Sequence, residues 1–226
     1  MSWRSIAALA GALALAGAEL EQARNRQDRA ALERIGAARA AHAERRPDDA
    51  SAQTGLAEAA MYLAEVALEL RDREGARVAA ETGIRAAQRA VALRPEVAEH
   101  HRLLGALCGQ AIPASLLSAM KYGKCAAESI ERALQLDPKD WRVWMSRGVG
   151  RYYLPPAFGG GAERAVEDLR KALELNPRAA DAWLWLGIAL RKAGRLAEAR
   201  QAIARSLELN PERVWARQQL EKTPAP

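Results

Sequence analysis

Along most of this chain apolar side chains recur three and four residues apart, the spacing of one helix face, and prolines interrupt the rhythm at regular places. Four segments end alike: Ala-Val-Ala-Leu-Arg-Pro95, Ala-Leu-Gln-Leu-Asp-Pro138, Ala-Leu-Glu-Leu-Asn-Pro177 and Ser-Leu-Glu-Leu-Asn-Pro211. Proline has no backbone N–H and cannot continue a helix, so each segment predicts a helix end followed by the same turn. Six residues beyond the first three prolines stand His101, Trp144 and Trp183, one bulky side chain at one fixed place of the next helix. The pattern predicts paired helices: an incomplete first helix over about 28–45, a long pair near 51–71 and 74–93, shorter pairs after it, and a last helix over about 212–222.

The unit from Trp183 to Pro211 carries Trp183, Leu186-Gly187, Leu190, Ala199, Ile203 and Pro211 at the spacing of a helix-turn-helix repeat of about 34 residues. In these residues the chain resembles the tetratricopeptide repeat family. Trp183, Leu186, Leu190 and Ile203 form an apolar stripe, and Gly187 and Ala199 are small where two helices must approach. The resemblance implies an all-α, right-handed solenoid over residues 19–222, with units of about 48–95, 96–138, 139–177 and 178–211, a capping helix at each end, and a disordered tail at 223–226. Two units are longer than the pattern. One has an insert around residues 111–123 and the other around the Pro-Pro-Ala-Phe-Gly-Gly-Gly run at 155–161, which reads as a flexible inter-helix turn.

The resemblance also implies a concave wall built from the first helix of each unit. Mapped onto this sequence, the wall holds Arg102, Arg142, Met145, Val149, Tyr152, Tyr153, Leu184, Ile188, Arg191 and Lys192, among others. An apolar and aromatic middle with basic edges suits a protein or peptide partner with apolar anchors and acidic groups. Members that hold chaperone tails use a set of basic and Asn residues; Arg102, Ala106, Ser146, Asp181 and Trp185 occupy those places here, so that clamp is absent. Weaker similarity over about residues 95–210 links the chain to exported bacterial tetratricopeptide proteins, and more distantly to the T-components of TRAP transporters and to regulators of microtubule dynamics.

Composition narrows the reading. With half its residues apolar, mostly Ala and Leu, and a single Phe, the chain has helix preference nearly throughout. Its net charge of +6 is dispersed and no Lys/Arg stripe with interleaved aromatics occurs, so nucleic acid is not an expected partner. Arg4, the uncharged run from Ile6 to Leu15 and Ala16-Gly17-Ala18 form the three parts of a cleavable export signal, with the cut after Ala18. The run is too short to span a bilayer, and no membrane span is expected after cleavage. A periplasmic or secreted location follows. In that compartment the two cysteines, Cys108 and Cys125, on the two helices of one hairpin, either form a disulfide or stay as two buried thiols.

No motif for catalysis appears. His100 and His101 are neighbours on a helix and point to different sides, so no metal site is read. Glu163, Glu167 and Asp168 fall among Arg and Lys on positions read as solvent-facing. Neither a catalytic residue nor a cofactor is expected. The sequence reads as a non-enzymatic interaction scaffold. Two alternatives remain: a ligand-binding transporter accessory with a pocket formed by the inserts, and a self-assembling protein that associates through its apolar ends or Trp215.

Overall fold

The computed structural model describes residues 17–225, and the predicted export signal therefore lies, up to residue 16, outside the described residues. A helical segment at 17–25 leads into ten helices: α1 (Arg29–Arg45), α2 (Ala50–Glu69), α3 (Arg73–Leu93), α4 (Ala98–Ala111), α5 (Leu116–Leu136), α6 (Trp141–Tyr153), α7 (Ala162–Leu175), α8 (Ala180–Lys192), α9 (Leu196–Leu209) and α10 (Val214–Glu221). Consecutive helices pack as pairs, α2 with α3, α4 with α5, α6 with α7 and α8 with α9. The first helices of successive pairs also touch one another and so line one wall.

Each predicted turn is held by the residue six positions past its proline. His101 Nε2 lies 2.8 Å from the carbonyl of Pro95, Trp144 Nε1 donates to that of Pro138 at 2.8 Å, and Trp183 Nε1 donates to that of Pro177 at 2.9 Å. Arg217 repeats the bond to Pro211 at 2.6 Å, although its side chain is neither aromatic nor apolar. The shared feature is an N–H of the right reach, which ties the turn to the helix that follows and satisfies a carbonyl the preceding helix cannot use.

Close approach within the pairs is set by glycine. A methyl group on Gly187 would lie 2.4 Å from Cγ1 of Ile203 and 2.8 Å from the carbonyl oxygen of Ala199, and one on Gly148 would meet Leu169 at 2.8 Å. The glycine run at 159–161 is a closed turn rather than a flexible one. Gly160 N donates to Pro155 O at 3.1 Å and Gly161 N to Arg151 O at 2.9 Å, with Gly159 and Gly161 at φ +84° and +108°.

Two further expectations are corrected. Thr223, placed by the sequence in a disordered tail, is fully buried: Arg191 donates to its hydroxyl at 3.0 Å and Arg200 to its carbonyl at 2.8 Å. Asp168, read as solvent-facing, is 2% exposed and receives a fork from Arg147 at 2.8 and 3.0 Å, with Arg151 at 3.0 Å. A carboxylate can sit there because two guanidinium groups supply the charge and donors that water would have supplied.

Candidate functional site

The segment at 17–25 forms a helix pair with α1 through a left-handed turn at Gln27 of the kind found at Arg71 and Gly194. The segment at 17–25 lies against α1 and α2, with Leu20 and Ala23 buried beside Leu32, Ala59 and Val66. Its Arg24, 4% exposed, reaches across to the far end of the stack. Arg24 Nε and Nη2 donate to the two oxygens of Glu65 on α2 at 3.1 and 2.8 Å, and Nη1 donates to Asp181 on α8 at 2.9 Å. The guanidinium also lies 5.1 Å from the centre of the Tyr62 ring, within cation–π range.

A second arginine completes the group from the opposite end of the sequence. Arg213, immediately before α10, is 1% exposed, donates to Glu65 at 2.9 Å and to Glu69 at 3.1 Å, and touches the carbonyl of Arg24 at 3.4 Å. Gln27 adds a bond to Glu69 at 2.8 Å and one with Gln218, and Arg26 pairs with Glu212. Two arginines thus face three carboxylates, and the first and last described helical elements are joined through one buried ionic network.

The network sets its own titration. Burial pushes the Glu69 carboxyl up, and neighbouring Glu65 adds to the effect against the pull of Arg213. Burial works in the same direction on Asp181, but Arg24 and Arg213 outweigh it and hold that group below the usual aspartate range. The phenol of Tyr62 on α2, desolvated against α1 and the segment at 17–25, is pushed up to about 12. Desolvation, and after it Tyr152, Glu65 and Glu69, push the Tyr153 phenol in the same direction, and its 62% exposure keeps the effect smaller than at Tyr62.

The predicted wall residues divide into spent and available groups. Arg102 is buried and forked onto Glu99 at 2.6 and 2.7 Å, and Arg142 is held by Asp140 at 2.8 Å. Arg191 binds Gln219 and Thr223 of the C-terminal cap, while Lys192 caps the Tyr152 carbonyl and stands over its ring. Each of these cations already has a partner within the chain, and Arg142 and Lys192 remain exposed. Leu184 and Ile188 are buried with Ile203 and Ala216 under α10, not displayed. Met145, Val149 and Tyr152 are half-buried, and Tyr153 is exposed.

The sequence reading missed Arg24, Glu65, Glu69 and Arg213. It also missed the aromatic line that runs from Tyr152 and Tyr153 to Trp185 at 5.9 and 6.1 Å and on to Trp215 at 5.2 Å. Trp215, read as a self-association anchor, is used inside the chain. One signal for the network was available: Glu65 and Glu69 are like charges one turn apart in the mainly apolar C-terminal half of α2, an arrangement that asks for a cation from outside it.

The inserts turn outward. Leu116, Leu117 and Met120 are 76–79% exposed and Phe158 is 75% exposed. Two clefts, of about 520 and 430 Å³, lie elsewhere: one over α1, α2 and α3, the other between the segment at 17–25 and the start of α8. Cys108 and Cys125 are bonded to each other and staple α4 to α5 at the base of the first insert. His100 Nδ1 lies 3.2 Å from the Arg94 carbonyl, a turn contact like that of His101. No helix among the described residues is long and apolar enough to cross a membrane.

Comparison with known proteins agrees with this architecture. A tetratricopeptide repeat profile matches residues 159–213. The crystal structure of a thermophilic TPR protein of Thermus thermophilus superposes with a TM-score of 0.58, 20% identity, and coverage of 88% of this chain and 90% of that one, a likeness of fold. A TPR repeat-containing protein of Pseudomonas aeruginosa is 46% identical over 55 residues, 24% of this chain and 50% of that protein. An uncharacterized protein of Methanocaldococcus jannaschii is 48% identical over 48 residues, 21% of this chain and 56% of that protein, so the matched region spans about half the length of these relatives. With its Pro-bounded helix pairs, its packed glycines and its matched segment, the chain carries a tetratricopeptide repeat at 159–213 and has the fold of a tetratricopeptide repeat protein.

Proposed function

We propose that this chain is a non-enzymatic scaffold of the periplasm that holds a partner polypeptide against its concave wall. One observation carries the reading: the first helices of successive pairs touch and line one wall, on which Tyr153 is exposed and Tyr152 and Met145 are half-buried. Stacked helix pairs provide an extended inner surface of this kind, and aromatic and Met side chains on it suit a peptide or helix with apolar anchors.

A photo-crosslinking residue at Met145, in the mature protein in its native envelope, tests the reading. Capture of one protein from Met145, reduced by Tyr153→Ala and not seen from Arg170 on α7, is the expected result. Equal capture from both positions, or none from Met145, would remove the concave wall as the binding surface. Fractionation of the cell envelope tests the location: recovery of the chain with the cytoplasm would end the periplasmic reading.

A further inference from the structure

The turns inside the helix pairs share one edge of the stack. Each short turn reverses the chain, so the first helices of all pairs run one way and the turns after them line up. Contacts tie neighbouring turns together: Arg29 to Asp72 at 2.7 Å, the Tyr122 hydroxyl donating to Glu81 at 2.6 Å, and Arg195 to Glu163 at 3.6 Å. All of the exposed large apolar side chains among the described residues lie within two helical turns of this edge. Among them are Leu70 after α2, Leu116, Leu117 and Met120 at the start of α5, and Leu154 and Phe158 after α6. The opposite edge, where the pairs are joined to one another, has none of them.

Charge divides in the same way. On the opposite edge Arg46 pairs with Asp49, Arg94 with Glu96 and Arg142 with Asp140. On the apolar edge Arg71, Arg73 and Arg164 are exposed and take part in none of the ion pairs among the described residues. The side chains of Lys121 and Lys124 are 66% and 82% exposed, with carboxylates no nearer than 3.7 Å. The acids there are already engaged, Asp72 by Arg29, Glu74 by Arg77 and Glu198 by Arg195.

We propose that this edge docks on an anionic lipid membrane, with Leu116, Leu117, Met120 and Phe158 entering the headgroup layer and the cations behind them meeting lipid phosphates. The order of residues on α5 fits that depth profile. Leu116 and Leu117 stand one turn before Met120 on the outer side of the helix, Ser118 and Tyr122 are buried on the inner side, and Lys121 and Lys124 follow one to two turns behind the leucines. Phe158 and Arg164 repeat the arrangement across the closed turn at 155–161, and Leu70 repeats it with Arg71 and Arg73. The disulfide at the base of the first insert holds its tip in place.

The shape favours lipid over a folded protein. Leu116, Leu117, Met120 and Phe158 are 75–79% exposed and line neither cleft, so they are separate protrusions rather than the floor of a groove. A protein partner would need a matching hollow for each, whereas a fluid leaflet closes around any of them, and excess cations add attraction to an anionic surface. Docked on this edge, the solenoid keeps its concave wall open.

The test is sedimentation of the mature protein with vesicles of phosphatidylcholine, alone or with about one third phosphatidylglycerol. Binding to the anionic vesicles should be at least about ten-fold tighter than to the neutral ones, and should weaken at about 1 M salt, where the screening length falls to about 3 Å. Leu117→Gln with Phe158→Gln should cost at least about ten-fold in affinity. Lys121→Gln with Lys124→Gln should cost about five- to ten-fold and flatten the salt dependence, while Arg178→Gln on the opposite edge should change nothing. These side chains are exposed, so each variant should melt as the unaltered protein does. Equal binding to both kinds of vesicle, binding to neither, or full binding by the Leu117 and Phe158 variant would overturn the proposal. Release by inorganic phosphate but not by chloride of equal ionic strength would assign the cations to a soluble anion, against it. A dimer that Leu117→Gln dissociates would give the edge to a second copy, and one protein captured by a photo-crosslinking residue at Leu117 in the native envelope would give it to a protein partner; either result overturns the membrane reading. The concave wall is judged separately, by the Met145 crosslink.

Discussion

The two halves of this solenoid are held by different means. In the C-terminal half the pairs α6–α7 and α8–α9 are short, and their cores contain Leu169, Leu173, Leu186, Leu190 and Val166 beside Trp144 and Trp183. In the N-terminal half α2 and α3 run to 20 and 21 residues, and their buried faces are mostly alanine, among them Ala57, Ala60, Ala64, Ala76, Ala80 and Ala87. A leucine buries three more carbons than an alanine, about 2 kcal/mol at each position, so the alanine-faced pair gains less from each contact. Length supplies part of the difference. Side-chain caps supply more: Asp28, Asp49, Asp72 and Ser115 accept from the first turns of α1, α2, α3 and α5, whereas in the C-terminal half Asp140 caps α6 and α7 to α10 have no such bond. The disulfide and the Arg24–Arg213 network also fasten the N-terminal half. Dense packing lets one half stand on its apolar faces, while the other depends on discrete fastenings.

Breaking the fastenings should therefore cost more than the local contact suggests. Arg213→Ala leaves Glu69 without its cation and Glu65 with Arg24 alone, and a loss of about 3–5 kcal/mol in chemical denaturation is expected. Limited proteolysis should then cut between residues 20 and 28 first. Unchanged cleavage would mean that the segment is held without the network. Reduction of Cys108–Cys125, which closes a loop with a separation of 17 residues, should lower stability by about 3 kcal/mol, chiefly at the α4–α5 hairpin, where hydrogen exchange can locate it. Gly187→Ala attacks the packed half: its methyl would press on Ile203 and on a backbone carbonyl, for a loss of about 1–3 kcal/mol.

Acid should act on the network through one group. Asp181 is held below its ordinary value by Arg24 and Arg213, so its contribution is complete above about pH 4 and is lost as pH falls through the lower folded value. Glu69 runs the other way, since its raised value means that protonation on acidification favours the fold. Thermal melts should therefore hold steady down to about pH 4 and decline below it, with Asp181→Asn flattening the decline. The smallest effect expected has the opposite sign. Gly36 in α1 has nothing within 4 Å of where a methyl would be, and Gly36→Ala should stabilise by about 0.5–1 kcal/mol, in contrast to the same change at Gly187.

The helix pairs were legible because their causes are local. A proline stop, an apolar stripe and a small residue at the crossing all lie within one repeat, so Trp183 to Pro211 could be read directly and the degenerate pairs by alignment to it. The first helix, expected from about residue 28, begins at Arg29 with Asp28 as its cap. The candidate site was legible only in part. Tyr152 is half-buried and Tyr153 exposed, but Arg102, read as a groove cation, is held by Glu99 three residues before it on the same helix. The meeting of Arg24 with Asp181 lies 157 residues apart in the chain and depends on how far the stack curves, which no window of sequence encodes.

Joining the two ends changes how the molecule should come apart. An open stack of repeats behaves as a row of neighbours and can fray from either end, one pair at a time. Here the last helix cannot peel away without disturbing the first described residues, because Arg213 holds Glu65 and Glu69 while Arg24 holds Asp181. Loss of one end is loss of the other, and a fold made of short-range contacts acquires the all-or-none character of a closed hoop.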